Sequence, residues 1–344
     1  MMEFTSLYKR LSGETSRTSR WALVVVVSSV VALNGCAAVK VKLGMRVYLD
    51  KQSISSMQAS LPKGPAIAPG EKLALVVKFA QPDGKILVTE GLGKGKVLWK
   101  DLTVTPSVVT ANQKGVVTLP KDPRVSDGKV AHVSITVPSH PDLHADLDIP
   151  ITYDYNFVAN FSGSAGSSGL NGSDGMAGAP GSMGSIDANN PSPGGNGGNG
   201  TDGSNGQDGD NGGNAPAVQV RVAFRDTTPP LLQISVSAAG KTRLYLVDPA
   251  GGALTVKADG GAGGSGGRGG SGGQGGSGGS GIPPGSSGLS GASGRNGFDG
   301  SPGKGGSITV TYDPRTKAYL TAIHLSNKGG PAPVFQEEPV APLW

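Results

Sequence analysis

The chain has 344 residues, of which 58 are glycine, and a formal net charge of +5. Glycine in that amount cannot build an apolar core, so sequence for about two modest globular domains remains. Lysine and arginine are scattered, with no basic stripe interleaved with aromatics, which argues against a nucleic-acid partner. A single cysteine, Cys36, excludes a disulfide within the chain and a thiolate metal site.

Residues 1–20 are polar and basic, and residues 21–33 form a mostly apolar run. That run is too short for a membrane span, which needs about twenty residues, and suits the core of a secretory signal. It ends in Leu33-Asn34-Gly35-Cys36, which resembles the lipobox of bacterial lipoproteins. The resemblance implies that a signal peptidase reads Leu33 and Gly35 and cuts before Cys36, which then carries the lipid. With Ala37 rather than Asp next, it also implies the outer membrane of a Gram-negative cell, facing the surface or the periplasm. Residues 1–35 are then a signal peptide. Lys9, Arg10, Arg17 and Arg20 against Glu3 and Glu14 give that segment +2, and the remainder is near +3 (5 − 2).

Residues 36–161 read as a membrane-proximal β domain. Alternating or β-branched runs fall at 40–49, 72–79, 85–89, 96–102, 115–119, 130–137 and 145–155, broken by turn residues such as Pro82-Asp83-Gly84 and Asp127-Gly128. Short strands at this spacing predict an antiparallel β-sandwich. Residues 139–146 hold His140 and His144 near Asp142 and Asp146, a set of metal-ligand types. Pro141 denies this segment the helix that would aim both rings at one point, so it reads as a solvated loop with no metal.

Glycine then returns every third residue, at 163–184 and 194–212, with a turn-like break at 186–193. A second stretch, 260–306, is interrupted by Ile282-Pro283-Pro284. The first hairpin occupies 162–216; the second, 260–306, is inserted in a second β domain made of 217–259 with 307–330. A Pro-rich tail covers 331–344. Strand-like runs flank both hairpins, and 254–257 and 308–311 look like strand partners.

A helix with three residues per turn puts every third residue on one edge, and glycine there lets a second backbone approach. Gly163, Gly166, Gly169, Gly197, Gly200, Gly264, Gly267, Gly288, Gly291 and Gly294 belong to that edge. The stretches resemble the polyglycine-II bundles of glycine-rich antifreeze proteins. Within the triplets the only prolines are Pro180 and Pro302, far below the 15–20% of collagen-like sequence. The expected fold is therefore all-β, with antiparallel sandwich-type domains and inserted Gly-x-x arms packed as a polyglycine-II bundle. A homotrimeric collagen-like rod and a flexible linker are the alternatives. Each arm would be about 60–75 Å long, and a bundle predicts a monomer, collagen a trimer.

No motif of catalysis stands out. The Gly-x-Ser-x-Gly string at Gly263–Gly267 matches a nucleophile elbow only by composition, and Asp202, Asp208 and Asp210 lack the nine-residue period of calcium repeats. Neither a cofactor nor a metal site is expected, and neither is enzymatic activity. The reading is an outer-membrane-anchored structural or adhesive lipoprotein displaying its arms to extracellular matrix, glycan or surface proteins. The alternative is an envelope module binding glycan or a partner protein, with the arms as spacers. Ice binding, a weaker idea, lacks a uniform Thr or Ala face.

Overall fold

A computed structural model describes residues 46–344. Leu33, Gly35 and Cys36, and the run over 40–45, lie outside the described residues. The chain is all-β and divides into two compact units. The described part of the first is 46–121 with 128–151; the second is 122–127 with 152–344.

The first unit holds three antiparallel sheets. One is β1 (Ser56–Ser60), β3 (Val76–Ala80) and β4 (Ile86–Val88); another is β2 (Lys72–Ala74), β7 (Val116–Thr118) and β6 (Thr110–Ala111). The third is β5 (Thr103–Ser107), β8 (Ala131–Val137) and β9 (His140–Ile149). In β8 the residues Ala131, Val133, Ile135 and Val137 are buried while those between them are more exposed, the two-residue period of a half-buried strand. Together with Phe79, Trp99, Leu119 and Ile149 they form one core.

Two expectations change here. Residues 96–102 are not a strand. Lys94 adopts a left-handed φ of 52°, and the chain turns into a 3-10 segment, Trp99–Asp101, that buries Trp99 with its N–H on Glu90 Oε1 at 3.2 Å. The solvated loop over 139–146 is instead the start of β9, paired antiparallel with β8. Its exposed positions alternate with half-buried ones, so a strand on the sheet surface satisfies the same polar sequence.

The second unit begins with β10 (Asn156–Asn160), which the sequence grouped with the first domain. It pairs with β14 (Ala253–Lys257), and β14 with β16 (Ile323–Ser326), all parallel. A second sheet has the order β13 (Lys241–Val247), β12 (Leu231–Ala238), β11 (Val218–Arg225), β15 (Ile308–Tyr312) and β17 (Val334–Glu337). There β11/β12 and β12/β13 are antiparallel, and β11/β15 and β15/β17 are parallel. Phe157, Leu254 and Ile323 from one sheet and Val220, Ile234 and Val310 from the other share one core. The Pro-rich tail is therefore not a free end. It supplies β17, buries Val340, and places the Leu343 N–H on Gln233 Oε1 at 2.9 Å.

The expected partnership of 254–257 with 308–311 does not occur, because β14 and β15 lie in different sheets. The reason is in the glycine arms between them. Four extended arms, 163–184, 194–214, 260–281 and 285–306, are neither strand nor helix and bond to one another along their length. The first and third run parallel: Gly163, Gly166 and Gly169 donate to Asp259, Ala262 and Ser265 carbonyls at 2.8–2.9 Å, and the series continues to Gly184 and Ser280. Second and fourth are also parallel, with Gly197 on Ser286 O, Gly200 on Leu289 O and so on to Gly212 on Ser301 O, each at 2.9 Å. Antiparallel ladders join the second arm to the first (Gly198 to Ala179 O, 2.8 Å), the third to the second (Gly264 to Asp210 O, 2.8 Å) and the fourth to the third (Gly291 to Gly273 O, 2.9 Å). The second and third arms thus each bond to the other three.

These ladders continue the strands. In β10/β14 the partners Asn156 and Ala253 are 97 residues apart (253 − 156), and the contacts of Asn171 with Arg268 and Asp174 with Ser271 keep that separation of 97. In β11/β15 the partners Val218 and Ile308 are 90 apart (308 − 218), and 90 again separates Asn196 from Ser286 and Asn211 from Ser301. A single register therefore runs from each parallel strand pair into its pair of arms. β14, the entry strand of the second hairpin, therefore pairs with β10, the entry strand of the first, and β15, the exit strand of the second, with β11, the exit strand of the first.

The ten edge glycines sit where this packing needs them. A Cβ on Gly163, Gly166 or Gly169 would overlap carbonyl oxygens of the second arm, on Gly197 or Gly200 those of the third, on Gly264 or Gly267 those of the first, and on Gly288, Gly291 or Gly294 those of the second. The third arm carries two such glycines per triplet: Gly263 faces Gly300 O of the fourth arm and Gly264 faces Ser167 O of the first. Its remaining positions, such as Ser265, Gln274 and Ser277, are exposed. Substituting Gly264→Ala or Gly291→Ala should then lower the unfolding free energy by about 1–3 kcal/mol through overpacking. The exposed Ser277→Ala should stay within about 0.5 kcal/mol, and denaturant unfolding of the variants measures both.

Candidate functional site

The bundle is the part of the chain whose surface is built most regularly, and its side chains follow from the triplet. With glycine turned inward, the other two positions of each triplet face outward on the first and fourth arms. In the second arm the third position is Asn196, Asn199, Asp202, Asn205, Asp208, Asn211 and Asn214, an unbroken series of Asn or Asp. Each Oδ1 accepts the backbone N–H of one fourth-arm residue, in order Ser286, Leu289, Ala292, Arg295, Phe298, Ser301 and Lys304, at 2.7–2.8 Å.

The same fourth-arm residue closes a second bond. Leu289 gives its N–H to Asn199 and takes the N–H of the following Gly200 at its carbonyl; Arg295 does the same for Asn205 and Gly206, and Ser301 for Asn211 and Gly212. One backbone residue thus grips an Asx side chain and the next amide together. Between first and third arms, Arg268 grips Asn171 and Gly172, and Ser271 grips Asp174 and Gly175. Of the ladder, the sequence reading singled out only Asp202 and Asp208, as calcium candidates. The signal that identifies it is the constancy of Asn or Asp at one position of the triplet, beside an edge read only for its glycine. Asx oxygen fits because the inter-arm backbone ladders use the glycine amide of the fourth arm and leave the next amide to the Asx side chain.

Apolar side chains on these arms stand in solvent. Leu170, Met176, Leu289 and Phe298 are 68%, 77%, 74% and 80% exposed. Leu170 O accepts from Gln207 N, and the neighbouring Asp208 takes the Phe298 amide, so Leu170 and Phe298 occupy one level on either side of the second arm. At the turn end Met183, Ile186 and Ile282 are also exposed, and the two turns are tied by Ile282 N–H on Ser192 O at 2.9 Å and Gly194 N–H on Pro283 O at 3.0 Å.

At the other end Asp259 fastens the root of the third arm. Its Oδ1 accepts the Ser326 hydroxyl and the Lys328 amide, both at 2.7 Å. The Ser326 bond and then the Lys328 bond hold its carboxyl below the usual range. In the first unit the histidine with acidic partners is His132, rather than His140 or His144. On β8 it lies 2.8 Å from Asp148 and 3.4 Å from Asp146 across the ladder, and the Asp148 bond foremost raises its pKa. His140 instead contacts Gln52 O at 2.9 Å. Among the described residues no group of three His, Cys, Asp or Glu is placed to hold a metal ion, and no helix is long and apolar enough to cross a membrane. Gly263 and Gly267, the ends of the elbow-like string, lie at inter-arm contacts.

Two outcomes are expected. Asn199→Ala removes an acceptor from the Leu289 amide and should cost about 0.5–1.5 kcal/mol. Asn199→Asp should cost less, since Asp202 and Asp208 already serve in the ladder; thermal unfolding of the two variants measures the difference. A carboxyl depressed by folding contributes stability that is complete above its unfolded pKa, about 3.9 for Asp, and is lost as pH falls through the lower folded value. The Lys328 amide should accordingly stay protected through mild acid and open only below that range, and Asp259→Asn should abolish the transition in an NMR titration.

The chain matches no protein-family model and no curated protein.

Proposed function

We propose that this chain is a lipoprotein held in the outer membrane through Cys36, and that it displays four polyglycine-II-type arms as a non-catalytic structural or adhesive element. The observation that carries the reading is the unbroken inter-arm bonding from strands to turns, which a passive linker does not need. Backbone groups satisfied between arms leave outward positions such as Leu170, Met176, Leu289 and Phe298 free to carry varied side chains, which suits a display surface.

The sandwich-type reading of the β units and a monomeric state belong to the same proposal. Bonds that close among four arms of one chain leave no role for two further chains, as a collagen-like rod requires. Matrix, glycan and surface proteins are the candidate partners, and the anchor makes the membrane itself one.

Protease treatment of intact cells tests display: loss of the arms from intact cells supports it, and full protection until the outer membrane is broken refutes it in favour of a periplasmic module. Cys36→Ser should leave an uncleaved precursor that takes up no labelled fatty acid; normal maturation of that variant would remove the localisation. Deleting both hairpins should leave an anchored base that no longer adheres.

A further inference from the structure

Every Asn–Gly pair among the described residues lies in an arm: Asn171, Asn196, Asn199, Asn205, Asn211 and Asn296. Asn–Gly is the dipeptide most prone to deamidation, since glycine has no side chain to hinder its own nitrogen. On losing its proton to base, the glycine nitrogen attacks the asparagine Cγ. The N–Cγ bond forms, the Cγ–Nδ2 bond breaks and ammonia leaves. Water then opens the resulting succinimide to aspartate or isoaspartate.

All six pairs are held away from that step at both atoms. The glycine nitrogens of 172, 197, 200, 206, 212 and 297 donate to neighbouring-arm carbonyls at 2.7–2.9 Å. The Oδ1 atoms accept neighbouring-arm amides at 2.7–2.9 Å. In five of the pairs a single residue makes both bonds: Arg268 for Asn171, Ser286 for Asn196, Leu289 for Asn199, Arg295 for Asn205 and Ser301 for Asn211. Cyclisation needs the glycine nitrogen turned onto the Cγ of the preceding asparagine, which breaks both bonds and parts the arms locally.

We propose that these six asparagines are deamidation sites closed by the bundle, and that opening of the arms licenses their modification. The two products differ in effect. Aspartate fits the ladder, as Asp202 and Asp208 do. Isoaspartate lengthens the backbone by one carbon, breaks the three-residue register and prevents the arm from closing again. A chain whose arms have once opened is thereby marked.

The test is peptide mapping of the full chain with discrimination of isoaspartate, in mildly alkaline buffer, native and in guanidinium. Native rates at all six sites should be at least about tenfold below the denatured rates, because modification proceeds only from the open fraction. The paired substitution Gly291→Val and Gly294→Val, which displaces the fourth arm, should accelerate Asn199 and Asn205 and spare Asn171, which the third arm holds. Ala239→Asn supplies a reference in the intact fold, as it puts Asn before Gly240 in the β12–β13 turn, where residue 239 already has φ 48°. That reference site should react faster than the six. Native and denatured rates within about twofold of each other, or arm sites as fast as the reference, would overturn the proposal even if the paired variant fails to fold.

Discussion

The structure depends on one contact, a backbone amide of one arm on a carbonyl of the next with no Cβ between them. Wherever the edge glycines approach, a methyl group would occupy the space of a carbonyl oxygen. Glycine loses more conformational freedom on folding than any other residue, and these arms bury few side chains to offset that loss. The compensation lies in number, since each central arm bonds to three neighbours. An arm taken alone has no such partner and no reason to hold its shape.

That dependence explains the parallel strands. β10 with β14, and β11 with β15, fix separations of 97 and 90 residues, and the arms inherit them. The core strands, packed through Leu254, Val220 and Val310, set the register by apolar burial, which glycine triplets cannot do. The triplets in turn hold the strands in a parallel order that hairpin turns alone would not give. A slip of one triplet would satisfy the glycine edge but not the core, so the β unit is what makes one register unique.

Much of this was legible in the chain. The three-residue period identified the arms and their turns. The alternating runs located β4, β7, β8 and the strands flanking each hairpin. Partnership between strands was not legible, because 254–257 and 308–311 are alike in composition and only the arm register decides their neighbours. Residues 96–102 misled because their apolar members serve a turn that buries Trp99 rather than an alternating face. The Asx ladder was present at every triplet of the second arm, but glycine dominated the pattern and the reason for a repeated Asn or Asp lies on another arm.

Residue-resolved amide exchange on the second arm tests the account most directly. There the glycine amide donates to the fourth arm and the next amide to the first, as Gly197 on Ser286 O and Gly198 on Ala179 O. The four-arm account therefore predicts a repeating pattern in the second arm: glycine protected, the following residue protected, and the Asn or Asp amide fast. A collagen-like rod would protect the glycine amide of each triplet alone. Uniformly fast exchange along residues 194–213 would contradict the account altogether.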